Sequence, residues 1–156
     1  MSSPEARATV YYYLRTKLYG HALKYLENSS NKNKNDVFVS FWHAFTLGIN
    51  GDYPQSIREF EILGRKRDVA YPCNLALLHF HNLRKNVDYN EIRNLEESLI
   101  TYAENITEVG NLYTSQFYFY VQDFYNSRKF VERVIPGNGR AVSVMHMQVS
   151  ILVDER

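Results

Sequence analysis

Apolar residues recur at three- and four-residue intervals along most of this chain, separated by short polar or glycine-bearing breaks. That spacing predicts helices. Val10, Tyr13, Leu14 and Leu18 form the first stripe. It predicts a helix from Pro4 to about Leu18, with Ser3 as cap and Pro4 preset for the first helical position. His21 to Asn28 predicts a short antiparallel partner across a Tyr19-Gly20 turn, and the polar run Asn31 to Asn35 a solvated link. Asp36 then caps a third helix carrying Phe38, Phe41, Ala44, Phe45 and Leu47. Gly51 stands where a helix C-terminus turns left-handed. A fourth helix follows with Tyr53, Ser56, Ile57, Phe60 and Leu63, and Pro54 is tolerated in its first turn.

The second half repeats the theme less regularly. A fifth helix is predicted from near Asp68, with Leu75, Ala76, Leu78 and His79 as its inner face and Pro72 early. Asp88 with Glu91 three residues on is a carboxylate variant of the capping box. It opens a long sixth helix expected to reach Thr107 through Ile92, Leu95, Leu99, Tyr102, Ala103 and Ile106. From Asn111 the aromatic density rises, predicting two helices broken near Gln122 or Asp123, with Ser127, Val131, Val134 and Ile135 in the second. Pro136-Gly137 stops it. Ala141 to Val153 is expected to be a further helix, although Val142, Val144, Met147, Val149 and Ile151 also fit strand alternation. No partner helix follows it before Arg156, so the sequence reads as the start of a longer array.

Ala22 and Ser56 are 34 residues apart, each three residues after a tyrosine (Tyr19, Tyr53) and four before an apolar anchor (Leu26, Phe60). A 34-residue period is that of a tetratricopeptide repeat. The expected fold is all-α: a solenoid of antiparallel helical hairpins, about four repeats with the last incomplete, in one domain over residues 1–156. Two helices that cross closely need small residues at the crossing and larger ones around it. The expected packing set is Ala22, Leu26, Ala44, Leu47, Tyr53, Ser56, Phe60, Ala76 and Ser127.

Charge narrows the partners. With 18 basic and 17 acidic residues the net charge is +1, which gives no global attraction to nucleic acid or to an anionic membrane. The one cysteine, Cys73, forms no internal disulfide and lies on a predicted packed helix, so it reads as an inert thiol in a reducing, intracellular setting. No enzymatic constellation is visible. His79 and His81 are two residues apart, which on a helix sends the rings to different sides and disfavours a shared metal. Gly137-Asn138-Gly139 lacks the lysine of a phosphate loop. No cofactor or metal is expected. Phe38, Phe41 and Phe45 share one face, which reads as packing between hairpins or as a candidate partner surface; it carries no Lys, Asn or Arg clamp for a terminal carboxylate. Arg65-Lys66-Arg67 reads as a solvated helix end.

An ordered set of segments carries a resemblance. It comprises Asp36-Val37-Phe38 through His43-Ala44-Phe45, Arg58-Glu59-Phe60-Glu61-Ile62, Asp68-Val69 through Cys73-Asn74-Leu75-Ala76-Leu77 to His81, and Phe130-Val131-Glu132-Arg133-Val134-Ile135. In this order they resemble the N-terminus of the tetratricopeptide repeat protein 21 family, the long repeat subunit of intraflagellar transport complex A. The resemblance implies a non-catalytic scaffold in retrograde ciliary transport and cilium assembly. It implies other complex A subunits and downstream repeats of the same chain as partners, at the cilium, the ciliary base and in the cytoplasm, with no nucleic acid and no direct membrane insertion. A free-standing, cochaperone-like peptide-binding adaptor is the alternative class. His79 where an aromatic is usual and Val10 where a small residue is usual depart from the pattern.

Overall fold

The computed structural model describes residues 2–32 and 35–134, and among these every regular element is helical. They are α1 (Pro4–Arg15), α2 (Tyr19–Lys32), α3 (Val37–Ile49), α4 (Tyr53–Leu63), a 3₁₀ turn (Arg67–Val69), α5 (Ala70–Leu83), α6 (Tyr89–Ala103), α7 (Glu108–Tyr120) and α8 (Phe124–Val131). Consecutive helices pair as four hairpins, giving an all-α helical-repeat array. The expectations on Ile135, Pro136-Gly137, Gly137-Asn138-Gly139 and Ala141 to Val153 fall outside the described residues.

Three of the four hairpins use one turn. Lys17, Gly51 and Gln122 have φ of 61°, 99° and 67°. In each case the next amide reaches back five residues: Leu18 to the Tyr13 carbonyl (2.8 Å), Asp52 to Leu47 (2.9 Å) and Asp123 to Tyr118 (2.8 Å). This is a Schellman motif, which satisfies carbonyls that a helix end otherwise leaves orphaned. Asp52 and Asp123 then cap the returning helix by accepting from the Gln55 and Asn126 amides. The first turn is therefore centred on Lys17, and the expected Tyr19-Gly20 turn lies inside α2. Lysine and glutamine in the left-handed region each cost about 1 kcal/mol that glycine avoids. Lys17→Gly and Gln122→Gly are each expected to raise the unfolding free energy by up to about 1 kcal/mol, read by urea titration.

The crossings repeat as well. Val10 and Ala22, Ala44 and Ser56, and Ser115 and Ser127 occupy equivalent places in hairpins one, two and four, and all six are buried. Ser56 Oγ donates to the Ala44 carbonyl at 2.7 Å. Ser115 and Ser127 donate to each other's carbonyls at 2.7 and 2.8 Å. These bonds draw the backbones together and satisfy the buried hydroxyls. Leu26, Phe60 and Ala76 are buried too, whereas Leu47 and Tyr53 are half-buried.

The third hairpin departs from the rule, and two expectations are corrected there. The inner face of α5 is Ala70, Cys73, Ala76, Leu77 and Phe80, while Leu75, Leu78 and His79 are only half-buried. The helix is rotated from the expected phase so that Phe80 enters the core. The sixth helix ends at Ala103 rather than Thr107, because the Thr107 hydroxyl accepts the Gly110 amide at 2.9 Å and starts α7 there. Asp88 caps α6 as expected, accepting from the Asn90 and Glu91 amides.

Candidate interaction surface

The first helices of the hairpins, α1, α3, α5 and α7, face one another, and their rings fill the space between them. Trp42 meets Tyr11 from α1 edge-on at 6.2 Å, Tyr120 from α7 edge-on at 5.4 Å, and Tyr113 from α7 stacked at 6.3 Å. Phe45 meets Phe80 of α5 at 6.1 Å and Phe117 of α7 at 5.7 Å. Tyr11 stacks on Tyr120 at 6.2 Å, and Gln116 Nε2 donates to its hydroxyl at 2.8 Å. Burial, partly offset by that bond, pushes Tyr11 up to about 12.

This corrects the candidate partner surface. Phe38, Phe41 and Phe45 are 5%, 0% and 1% exposed, so they offer almost no surface to a partner. They are core rings. Sequence periodicity had no means of marking Tyr11, Tyr113, Gln116 and Tyr120 as the groups that cover them, because α1 and α7 meet across 105 residues of chain. Cys73 is also buried, which pushes its thiol up and makes it a poor nucleophile.

His43 ties three helices. Its Nδ1 is 2.6 Å from Glu59 Oε1 on α4, and its Nε2 is 3.6 Å from Glu27 Oε1 on α2. The Glu59 hydrogen bond raises His43 above its ordinary value against the opposing effect of partial burial, and Glu27 adds to the rise. At Glu59, burial would raise the carboxyl but is outweighed by His43, Gln55 and Arg58, which hold it low. A histidine raised in the folded state contributes stability that is fully present below its unfolded value near 6.5 and is lost as pH rises through the folded value. Wild type should therefore exceed Glu59→Gln in stability most between about pH 4.5 and 6.5, where His43 is protonated and Glu59 ionised, and the gap should shrink at higher pH and again as Glu59 is protonated in acid. Denaturant titrations across that range check it.

His79 sits edge-on against Phe80 (5.0 Å) and Phe117 (5.5 Å), whereas His81 is 3.4 Å from Arg84. The two rings serve different neighbours, and burial lowers both. Among the described residues no group of three or more His, Cys, Asp or Glu is gathered as a metal site, and no helix is long and apolar enough to cross a membrane. The accessible surface instead offers a cleft of about 390 Å³ where α4, α5, α6 and α7 converge, and Arg65 and Arg67 belong to its lining.

Sequence comparison adds the relationship. The family model described as the tetratricopeptide repeat protein 21 N-terminal ARM repeat matches residues 10–153. The chain belongs to this family. It is 22% identical over 134 residues to tetratricopeptide repeat protein 21B of Mus musculus and 23% identical over 135 residues to that of Homo sapiens. Against tetratricopeptide repeat protein 21A of Mus musculus it is 22% identical over 137 residues. Each alignment covers 86% of this chain and 10% of the relative, so the chain spans about a tenth of the length of these relatives.

For the tetratricopeptide repeat protein 21 family, the hairpins here form its N-terminal repeat region. The family description calls these repeats ARM repeats, whereas the 34-residue spacing suggested the tetratricopeptide type. Both are stacked helical units that bury a shared core, and the description fits an array that keeps its period in the first two hairpins and loses it in the third. The match starts within α1, takes in the rest of the four hairpins and extends past the last described residue.

Proposed function

We propose that this chain is a non-catalytic scaffold segment of intraflagellar transport complex A, acting in retrograde ciliary transport and cilium assembly. Its partners are then other complex A subunits and downstream repeats of its own chain, and its place is the cilium, the ciliary base and the surrounding cytoplasm. The observation that carries this reading is the match of residues 10–153 to the N-terminal repeat region of the family. The structure supports a scaffold in a general sense. Stacked hairpins hold surface side chains at fixed spacing, and the polar groups described above serve caps, crossings and the core.

Tagged protein expressed in ciliated cells is expected to co-purify with complex A subunits and to concentrate at the ciliary base. Recovery with chaperones in place of those subunits would favour the cochaperone-like adaptor and contradict the proposal. Point variants that leave the helical content intact but abolish recovery would map the face involved.

A further inference from the structure

We propose that the cleft between α6 and α7 is a docking site for an acidic linear peptide carrying one bulky apolar side chain. The cleft has a structural origin. In the first two hairpins the second helix packs on the next hairpin's first helix, α2 on α3 and α4 on α5. In the third this continuity fails. α6 packs on α5 and not closely on α7, which settles against α5 and the 67–69 turn. The gap that remains is about 390 Å³, room for one or two side chains, within the range of small binding pockets.

Its walls combine apolar side chains with the polar Thr101, Asn105 and Thr107, and its rim is basic. Tyr102 and Ile106 stand on one side, Tyr71 on the other, and Gly110 brings bare backbone to the wall. Tyr102 is 42% exposed, an aromatic left facing solvent. A Cβ at Gly110 would stand 3.0 Å from Ile106 and 3.1 Å from the Asp68 carbonyl, so this wall has no room for a side chain of its own. Arg65 and Arg67 edge the opening, both exposed, with Lys66 between them in the chain. No salt bridge joins any of the three to another described residue. Asp68 is the one acidic residue in the lining, and its carbonyl is taken by the Thr107 hydroxyl at 3.2 Å.

The favourable ends of helix dipoles explain cations near the end of α4, but not an exposed tyrosine and an unfilled gap beside them. Exposed guanidinium groups next to a partly apolar slot complement carboxylates flanking a large apolar residue. A nucleic acid or a membrane surface would draw on a broad positive field, and a net charge of +1 does not supply one. This inference rests on the scaffold reading, since it names the chemistry of a partner, but the two are tested by separate experiments and fail independently.

The test is fluorescence anisotropy with the 156-residue chain and a fluorescein-labelled peptide in which one phenylalanine is flanked on both sides by aspartates. Saturable, salt-sensitive binding is expected. Arg65→Glu/Arg67→Glu should weaken it by about tenfold or more, and Tyr102→Ala, or alanine for the peptide's phenylalanine, should weaken it comparably. All the substituted protein residues are exposed, and circular dichroism confirms that each variant remains folded; Arg65→Gln/Arg67→Gln serves if charge reversal disturbs the fold. Several results would overturn the proposal: no saturable binding, unchanged binding in the double variant, or equal binding of polyaspartate, DNA or phosphatidylserine vesicles without dependence on Tyr102. Self-association of the chain that disappears in the double variant would assign the cleft to a second copy and overturn it as well.

Discussion

Trp42→Ala is expected to destabilise the chain by about 3–5 kcal/mol, the cost of emptying a fully buried aromatic site. That is a large part of the 5–15 kcal/mol that usually holds a domain of this size together. Trp42 is 0% exposed and receives rings from α1, α3 and α7, so its loss leaves a cavity bounded by three helices that no local movement closes. Trp42→Phe should cost far less. The Trp42 indole N–H has no hydrogen-bond partner among the described residues, so phenylalanine loses volume but no hydrogen bond. Thermal and urea unfolding of the two variants measure the difference. Similar losses for both would mean that the ring cluster is not closely packed.

Gly48→Ala is the second large effect. In an exposed helix interior this change stabilises by up to about 1 kcal/mol. Here the added methyl would lie 2.5 Å from two carbons of the Phe80 ring. That ring cannot retreat, because Phe80 is 0% exposed and hemmed in by Phe45, Tyr53 and Phe60. The net result should be a loss of about 2 kcal/mol, the usual cost of overpacking. Phe80→Leu should relieve it, so that the double variant is less destabilised than the two single losses added together by about 1 kcal/mol or more. A Gly48→Ala protein more stable than wild type would show that α3 and α5 do not approach this closely.

Much of the local structure was legible. Asp36 and Asp88 as helix starts, Gly51 as a left-handed stop and Ala44 against Ser56 as a crossing all act through neighbours a few residues away, where spacing carries the information. What stayed hidden was of two kinds. Lys17 and Gln122 perform the role of Gly51 without a glycine, so although the break near Gln122 was readable, only backbone geometry identifies the left-handed residue in each turn. Thr107 ends one apolar run and caps the next, and a periodicity that continues from Ile92 to Ile106 does not register that break. The candidate surface failed for a different reason. Phe38, Phe41 and Phe45 do form one stripe, but what covers a stripe is decided by parts of the chain far away. Ser115 alone had an unused signal, since it precedes Ser127 by the interval that separates Ala44 from Ser56.

The closed ring cluster has a consequence for folding. In an ordinary repeat array each unit contacts only its neighbours, and stability adds along the chain. Here α7 reaches back to α1 through Tyr11, Gln116 and Tyr120, joining the first hairpin to the fourth. The array should therefore unfold as one cooperative unit and not fray from its ends.

Trp42 makes this directly measurable, because it is the only tryptophan in the chain and stands where the joined helices meet. Its fluorescence and the helical circular dichroism should be followed through the same urea titration, with acrylamide quenching in the native state. The structure predicts a blue-shifted, unquenched tryptophan whose loss coincides with the loss of helix in a single transition, and a Tyr120→Ala variant in which both curves shift together. A solvent-like, readily quenched emission in native buffer, or a fluorescence transition well before the helical one, would contradict the closed core.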